Sequence, residues 1–505
     1  MHRQRHEELI ALTSGGAMIL GLAPFNLFPI SILSIALLFG LWLHASTRRA
    51  AWLGFLFGIG QFGSGVSWVF VSMHNFGNMA SPLALVATLL FASLMALYPA
   101  ILGFIQARYR HLSSTLRLLV VMPVLWTAVE WLRGWLFTGF PWLNLGDTQL
   151  LTPLTGFAPW FGVYFLTLLT AVAAGLLVAW YRQGWRQGWR TGVVLVALWM
   201  AGWLAGTVQW TEPTGEPVRV ALVQGNVPLK IKWDRYYRDA ILGRYLDMSR
   251  GHTDADLVVW PEGALPTYLN DLDSGFIAKL SNLAVNTHTD FLFGAVDRVR
   301  INGKAEYYNA VASIGSHRGV YKKRHLVPFG EYPPIRVIFG WLLNAMNIPM
   351  SDFTAGPDGQ APLPLAGQSV GVSICYETAF AAEFTDALPA ATLLVNVSEN
   401  AWFGDSLGPH QLLQMTRMRA LETGRPIVRT DNAGLSAVID HHGTLRAVSP
   451  QFKQSVLAAA VQPMAGATLF VLAGNLPVLL MLMAGVVVAE WRHQHGRLQA
   501  QGKTA

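Results

Sequence analysis

The single cysteine of this 505-residue chain, Cys375, ends a strand-like apolar run that begins at Gly367 and is followed by Tyr376 and Glu377. A thiol in this position is a candidate nucleophile, although a lone cysteine is more commonly a small buried hydrophobic residue. A thiol attacks only as the thiolate, so it needs a base to accept its proton and a positive charge to stabilise the anion. Both groups have to come from other segments of the chain.

Two segments carry groups with these properties. Glu262 follows a short β-branched run just past a proline, and Lys323 lies in a basic cluster that is followed by an apolar turn and Glu331. Taken alone, each would be a solvated surface charge, because Lys and Glu are seldom buried without a partner. Together they predict a base, an ammonium group and a Cys375 nucleophile that attacks an acyl carbonyl and forms a thioester. Lys323 and the Tyr376 amide would hold the oxyanion, and Glu262 would protonate the leaving group.

The composition indicates a membrane protein. Hydrophobic residues make up 52% of the chain and charged residues only 13%, whereas soluble domains carry about 25% charged residues. The apolar runs lie in residues 1–210 and 469–490, and the segment between them has ordinary globular composition. We therefore predict transmembrane helices 1–7 in residues 1–212, a soluble domain in residues 213–466, and an eighth helix with a tail in residues 467–505.

Membrane spans of about 20 apolar residues each are predicted at eight places. They lie near residues 9–24, 26–45, 51–71, 82–106, 118–137, 157–180, 192–208 and 469–490. With this number of spans, the Lys and Arg residues at the span ends fall on one side, which the positive-inside rule makes cytoplasmic. The loops near 72–81 and 138–156 contain neither residue. Both termini are therefore expected to be cytoplasmic, and the soluble domain to lie on the opposite side.

Alternating apolar patterns predict strands separated by helices in the soluble domain, which favours sheets with helices on their outer faces. The predicted strands are residues 218–223, 257–260, 291–296, 307–314, 369–375, 393–397, 427–430 and 435–440.

The Glu262, Lys323 and Cys375 set resembles the carbon-nitrogen hydrolase (nitrilase) superfamily, and its combination with membrane spans resembles the apolipoprotein N-acyltransferase family. The likeness extends over nearly the full length. It rests on Gln224-Gly-Asn226 through Lys232-Trp233-Asp234, Trp260-Pro-Glu262-Gly263, Lys323 to Glu331, Cys375-Tyr-Glu377, Ala401-Trp-Phe-Gly-Asp-Ser406, Arg417 to Glu422 with Gly424-Arg-Pro426, and Phe140-Pro-Trp-Leu-Asn144. One position departs from the family pattern, since Asn400 stands where aspartate is expected.

The resemblance implies a four-layer αββα sandwich, with Cys375 as nucleophile, Glu262 as base and Lys323 as oxyanion stabiliser. It implies ping-pong acyl transfer from a phospholipid, such as phosphatidylethanolamine, to the N-terminal amine of a diacylglyceryl-cysteine apolipoprotein. The reaction would take place on the periplasmic side of the bacterial inner membrane. Supporting or substrate-binding positions are expected at Trp233, Glu331, Tyr376, Glu377 and Trp402.

Several of these roles stay open at the level of sequence. Glu331 and Glu377 would either orient Lys323 or hold the incoming amine, and the two tryptophans are equally compatible with core packing. The apolar, proline-bounded stretch Tyr332–Met350 is too short to span a bilayer. It is either a buried helix or an arm that enters the outer leaflet and admits acyl chains. The arm is favoured, because a lipid ester does not readily reach an aqueous cleft.

Within the spans, Gly54, Gly58 and Gly65 are expected to allow close helix packing. Glu130 and Arg133 can pair on one helix face, and they are either such a structural pair or a functional site. No Walker A loop, zinc-ligand spacing or dinucleotide fingerprint is present in the sequence, so neither a cofactor nor a metal is predicted. The net charge of +7 is assigned to the cytoplasmic span ends rather than to nucleic-acid binding.

Two alternatives remain. A membrane-anchored amidase would use the same residues with water as the second nucleophile, but it would not need the spans. A transporter with an outer binding module would leave the Glu, Lys and Cys set unexplained.

Overall fold

A computed structural model of the chain describes residues 2–184, 188–332 and 352–501. The chain divides into two compact units. The first, helical unit comprises Met1–Phe70, Ser81–Gln209 and Leu472–Ala505, and the second comprises Val71–Ala80 and Trp210–Val471.

The longer helices of the first unit are mostly apolar. They are His2–Ala17, Phe28–His44, Thr47–Gly65, Ser81–Gln106, Met122–Arg133, Ala158–Gln183, Trp189–Ala205 and Leu476–Gln501.

Within the described residues, four helical segments are long and apolar enough to cross a membrane: Ser81–Tyr109, Ser114–Arg133, Pro153–Gln183 and Leu476–His495. A fifth is added if Thr47–Gly65 and Trp68–Phe76, which meet at a bend of 50°, count as one span. Two further apolar helices are shorter, and the helix expected at 9–24 ends at Ala17 before a 3₁₀ turn. The membrane character of the unit is therefore supported, whereas the number of eight spans stays a prediction.

Glycines bring the helix Thr47–Gly65 into backbone contact with the helix Ser81–Gln106. A Cβ atom at Gly54 would lie 2.2 Å from the carbonyl oxygen of Pro99, and one at Gly58 would lie 2.6 Å from the Cα atom of Ala96, both in the helix Ser81–Gln106. Both distances are shorter than van der Waals contact, so these positions have no room for a side chain. The prediction of close helix packing at these glycines is confirmed.

Glu130 and Arg133 are buried on one helix face and bind the segment that follows. Glu130 accepts hydrogen bonds from the Leu145 amide at 3.0 Å and the Thr167 hydroxyl at 2.8 Å. Arg133 donates to the Asn144 side chain at 3.0 Å. A structural role follows, because the charges satisfy polar groups that would otherwise be buried without partners.

We expect Gly54→Ala to destabilise the helical unit by about 1–3 kcal/mol, because the added methyl group overlaps the backbone of the facing helix. The matched control is Gly63→Ala in the same helix, where no heavy atom lies within 4 Å of the added Cβ. Thermal unfolding of both variants in detergent measures the difference. Equal unfolding midpoints would contradict the packing argument.

The second unit contains fourteen described strands, β1 to β14 in chain order. They are β1 Thr211–Pro213, β2 Val218–Gln224, β3 Leu257–Val259, β4 Asp290–Ile301, β5 Lys304–Ile314, β6 Val320–Lys322, β7 Leu363–Leu365, β8 Gln368–Ile374, β9 Leu393–Ser398, β10 Ile427–Asp431, β11 Ala437–Ile439, β12 Leu445–Val448, β13 Ser455–Val461 and β14 Met464–Gly466.

The strands form two six-stranded sheets and a small two-stranded sheet. The first large sheet has the order β13-β2-β3-β4-β5-β6, the second has the order β12-β11-β10-β9-β8-β7, and β1 pairs with β14. Each of the eight predicted strands coincides with an observed strand, with differences at the ends.

The two large sheets pack face to face. Alternation along β2 sends Val220 and Leu222 into the core between the sheets, where they meet Val395 and Val428 of the second sheet. On the outer face of the first sheet lie the helices Arg238–Arg250 and Ser274–Thr287, and on that of the second lie Ala381–Thr385 and Leu407–Thr423. The result is a helix–sheet–sheet–helix sandwich, as predicted.

Candidate active site

Three strand ends deliver the predicted Glu, Lys and Cys. Glu262 follows β3, and Lys323 follows β6, which runs in the same direction as β3 through the antiparallel steps β4 to β5 and β5 to β6. Cys375 directly follows β8 of the other sheet. Since the ends of strands that run in the same direction meet at one edge of a sheet, Glu262 and Lys323 come together across the edge.

The Lys323 ammonium is the buried charge at the centre of this set, with only 1% of the residue exposed. It donates a hydrogen bond to Glu331 Oε1 at 2.9 Å and lies 3.6 Å from Glu262 Oε1. Burial alone would lower the pKa of Lys323, but the negative charges of Glu331 and Glu262 outweigh burial and raise the pKa above its ordinary value. The side chain is therefore positively charged at every physiological pH.

Asn309, in β5, is a site residue that was missed in the sequence. Its Nδ2 group donates at 2.7 Å both to Glu262 Oε1 and to Glu331 Oε1. Its backbone carbonyl accepts the amide of Lys323 at 2.8 Å. One amide group thus bridges two carboxylates that would otherwise repel each other. The available signal was a carboxamide within the largely apolar predicted strand 307–314.

Cys375 has a left-handed backbone conformation, with φ of 52°, at the start of the short 3₁₀ turn Cys375–Ala379. That conformation costs about 1–3 kcal/mol in a non-glycine residue and concentrates at functional sites. The backbone N–H of Glu399 favours the thiolate and so acts to lower the pKa of the thiol. Burial and the Glu262 carboxylate raise the pKa of the thiol well above its ordinary value, while Lys323 and Arg429 act in the lowering direction. The resting group is a neutral thiol beside a carboxylate.

Glu377, with no exposed surface, joins the Cys375 turn to the segment that carries Lys323. Its carboxylate accepts the backbone N–H of Ile374 at 2.6 Å and that of Arg324 at 2.7 Å. Burial, with a further contribution from Glu383, raises the pKa of Glu377 to about 7. These contacts distinguish Glu331 from Glu377, whose roles the sequence left open. Glu331 contacts the Lys323 ammonium, and Glu377 binds backbone N–H groups.

A second buried ion pair lies behind the candidate base. Lys232 pairs with Glu399 and donates to the backbone carbonyl of Glu262 at 2.9 Å. Glu399 also accepts a hydrogen bond from Asn432 at 3.1 Å. The pair holds the Glu262 backbone in place through the Lys232 ammonium. It was missed because Lys232 and Glu399 are far apart in the chain.

The aromatic candidates are distributed differently. The partly buried Trp233 approaches the residue after the base, since a Cβ at Gly263 would lie 3.7 Å from its ring. Tyr376 is buried and packs edge-to-face against Phe380 at 5.0 Å. The Trp402 ring packs edge-to-face against Phe76, with the ring centroids 6.2 Å apart. Trp402 therefore lies against the segment 71–80.

Two further sequence positions need separate mention. Asn400 is 1% exposed, and its backbone N–H donates to Asp431 at 3.1 Å. In the predicted arm, Tyr332–Met350, residues 333–350 lie outside the described residues.

The αββα sandwich with Glu262, Lys323 and Cys375 gathered at its strand ends defines the class of carbon-nitrogen hydrolases. The family model described as Carbon-nitrogen hydrolase matches residues 219–468, and the one described as Apolipoprotein N-acyltransferase N-terminal domain matches residues 14–176.

Full-length relatives identify the family. An apolipoprotein N-acyltransferase of Methylococcus capsulatus is 44% identical, covering 98% of this chain and 98% of its own. One from Nitrosomonas europaea is 42% identical, covering 95% of this chain and 97% of its own. A solved carbon-nitrogen hydrolase from Helicobacter pylori G27 aligns with a TM-score of 0.35 at 16% identity, covering 49% of this chain and 89% of its own. The chain belongs to the apolipoprotein N-acyltransferase family of enzymes.

The charges around the thiol predict how Cys375 reacts with iodoacetamide. Because only the thiolate is alkylated and its pKa is raised, the rate should rise about tenfold per pH unit from pH 7 to 9 without a plateau. Glu262→Gln removes a charge that raises the thiol pKa, so it should speed alkylation at a fixed pH. Lys323→Met removes a charge that lowers it and should slow alkylation. Intact mass spectrometry of Cys375, the only cysteine, follows the reaction.

Cys375→Ala provides the blank for this measurement. A plateau of the alkylation rate near neutral pH, or slower alkylation of Glu262→Gln than of the wild-type protein, would contradict the charge arrangement.

Proposed function

We propose that this enzyme transfers a fatty acyl chain from a phospholipid to the N-terminal amine of a diacylglyceryl-cysteine apolipoprotein. The observation that carries the proposal is the buried Lys323 ammonium beside Glu262 and electrostatically coupled to Cys375. The chain that holds this set also has helices long and apolar enough to cross a membrane. A lipid donor and a lipid-anchored acceptor are both confined to a bilayer, which accounts for the membrane helices.

In the first half-reaction, the Glu262 carboxylate takes the Cys375 proton as Sγ attacks the ester carbonyl carbon of the phospholipid. The carbonyl oxygen becomes negative, and the Lys323 ammonium and the Tyr376 amide stabilise it. When the carbon–oxygen bond to glycerol breaks, protonated Glu262 gives its proton to the departing alcohol oxygen. Lysophospholipid leaves, and Cys375 keeps the acyl chain as a thioester.

In the second half-reaction, the α-amine of the diacylglyceryl-cysteine attacks the thioester carbonyl. Glu262 accepts a proton from the amine and returns it to Sγ as the carbon–sulfur bond breaks. The products are an amide on the lipoprotein and the regenerated Cys375 thiol. Because lysophospholipid leaves before the amine attacks, the scheme is ping-pong.

The remaining residues have supporting roles in this proposal. Glu331 and Asn309 hold Lys323 and Glu262 at their working separation, and Glu377 holds the Cys375 turn. Trp233 and Tyr376 are the aromatic side chains proposed to contact substrate. Trp402 supports the loop after β9 through its packing on residues 71–80.

We further propose eight spans, cytoplasmic termini and a periplasmic catalytic domain in the bacterial inner membrane. The support is the clustering of Lys and Arg at one side of the predicted spans and the bacterial origin of the relatives. Alkaline phosphatase, which is active only in the periplasm, should be active when fused within the loop 72–81 and inactive when fused after residue 505. The reverse pattern would contradict this topology.

The acyl-enzyme is the direct test of the mechanism. Purified full-length protein incubated with phosphatidylethanolamine alone should gain one acyl-sized mass on Cys375, because no acceptor is present to discharge the thioester. A diacylglyceryl-cysteine peptide should remove the added mass and acquire it as an amide. Intact mass spectrometry measures both steps.

Cys375→Ala is the matched control and should gain no mass. Discharge to water as fast as to the peptide would make the enzyme a hydrolase. Failure to form any adduct with a phospholipid donor would overturn the lipid half of the proposal.

A further inference from the structure

Arg429 is a buried cation near the candidate nucleophile that the scheme above does not use. It lies in β10 with 0% exposure. Its Nη1 group donates to Asn396 Oδ1 at 2.6 Å and to Thr416 Oγ1 at 3.2 Å, and Nη2 lies 3.7 Å from Asp431 Oδ2. Among the described residues, Nε and Nη2 have no hydrogen-bond acceptor. Burying a guanidinium group with so few partners is costly, so its presence calls for a physical reason.

One hydrogen-bonded path leads from Arg429 to the strand that ends at the nucleophile. Asn396 of β9 is paired in register with both Arg429 of β10 and Ser373 of β8. Its Nδ2 group donates to Ser373 Oγ at 2.9 Å. Ser373 is two residues before Cys375. The guanidinium group therefore supports the end of β8, which orients the thiol.

A second path leads to the turn itself. Thr416, in the helix Leu407–Thr423, accepts from Arg429 and lies 3.1 Å from the hydroxyl of Thr378. Thr378 belongs to the turn Cys375–Ala379. The side chain of Arg429 is thus linked to the chain two residues before and three residues after Cys375.

The charges that face Cys375 come from three elements besides its own. Burial raises the thiol pKa first, the Glu262 carboxylate raises it further, and Lys323 and then Arg429 lower it. The carboxylate paired with Arg429 is that of Asp431, whose Oδ1 accepts the backbone N–H groups of Asn400, Ala433 and Gly434. Arg429 is therefore a second positive charge acting on the thiol.

We propose that Arg429 is a positioning residue for acyl transfer, because through Asn396 and Thr416 it holds the chain on both sides of Cys375. The inference rests on the proposed function, because it assigns Arg429 to the same reaction.

Arg425 offers a matched comparison. It is also a buried arginine in the same sheet region, 1% exposed, and it donates to the backbone carbonyls of Ala391, Pro389 and Gly466. Burial alone lowers the pKa of Arg425 to about 10. Loss of either arginine removes a buried charge, but only Arg429 acts on the thiol.

The test measures iodoacetamide alkylation of Cys375 against pH in the full-length protein in detergent, by intact mass. We expect Arg429→Met to move the pH profile upward, which slows alkylation about tenfold at a fixed pH for a shift of one pH unit. Arg429→Lys keeps the charge and should therefore have the same alkylation profile as the wild-type protein. It should nevertheless load acyl chains from phosphatidylethanolamine more slowly, because it loses the hydrogen bonds of Nη1 to Asn396 and Thr416. Arg425→Met should leave the profile unchanged.

An unchanged profile in Arg429→Met, or an equal shift in Arg425→Met, would overturn the proposal. If Arg429→Met shows no cooperative unfolding transition, Arg429→Lys decides: slower acyl loading with a normal alkylation profile supports the positioning role, and unimpaired loading overturns it. Failure of the unmodified protein to form an acyl adduct would instead overturn the proposed function, because alkylation does not require a phospholipid.

Discussion

The buried ammonium of Lys323 is the constraint around which the catalytic unit is arranged. A positive charge with 1% exposure is tolerated only when carboxylates and hydrogen-bond acceptors surround it. Glu331 and Glu262 supply the carboxylates, and Asn309 bridges them. These contacts join the ends of β3 and β6 to the middle of β5, so the requirement to pair one charge also determines the spacing of the site.

The same charges control the nucleophile. A thiol buried beside a carboxylate keeps its proton, and the nearby cations reduce the energetic cost of releasing it. In the proposed mechanism, Lys323 favours the thiolate and so favours transfer of the Cys375 proton to Glu262, which lies 3.6 Å from the ammonium. The strained backbone at Cys375 is held before the cysteine by the Ile374 N–H, which donates to Glu377, and by Asn396, which donates to Ser373. After the cysteine it is held by the contact between Thr378 and Thr416. Charge and backbone geometry thus depend on one set of contacts.

The sequence predicted elements where a pattern is local. Apolar alternation identified the central strands, and composition identified the membrane unit. It missed the short strands β1, β6, β7, β12 and β14, which are three or four residues long, and β13, whose alanines have weak strand preference. It paired Glu130 with Arg133 by helical spacing, whereas the structure uses both residues to bind the chain at 144–145. Spacing along a helix shows which residues share a face but not what that face meets.

By itself, the sequence indicated the membrane character, the sheets with helices on their outer faces, and the candidate set Glu262, Lys323 and Cys375, because each depends on residue type and local order. The αββα sandwich was implied by the family resemblance. The tertiary structure alone decided which groups surround that set. Asn309, the Lys232–Glu399 pair and Arg429 reach the site through strand pairing and burial, and they come from segments with no local signal in common. Glu331 and Glu377 look alike in the sequence, and only their positions in the fold give one to the Lys323 ammonium and the other to the backbone around Cys375.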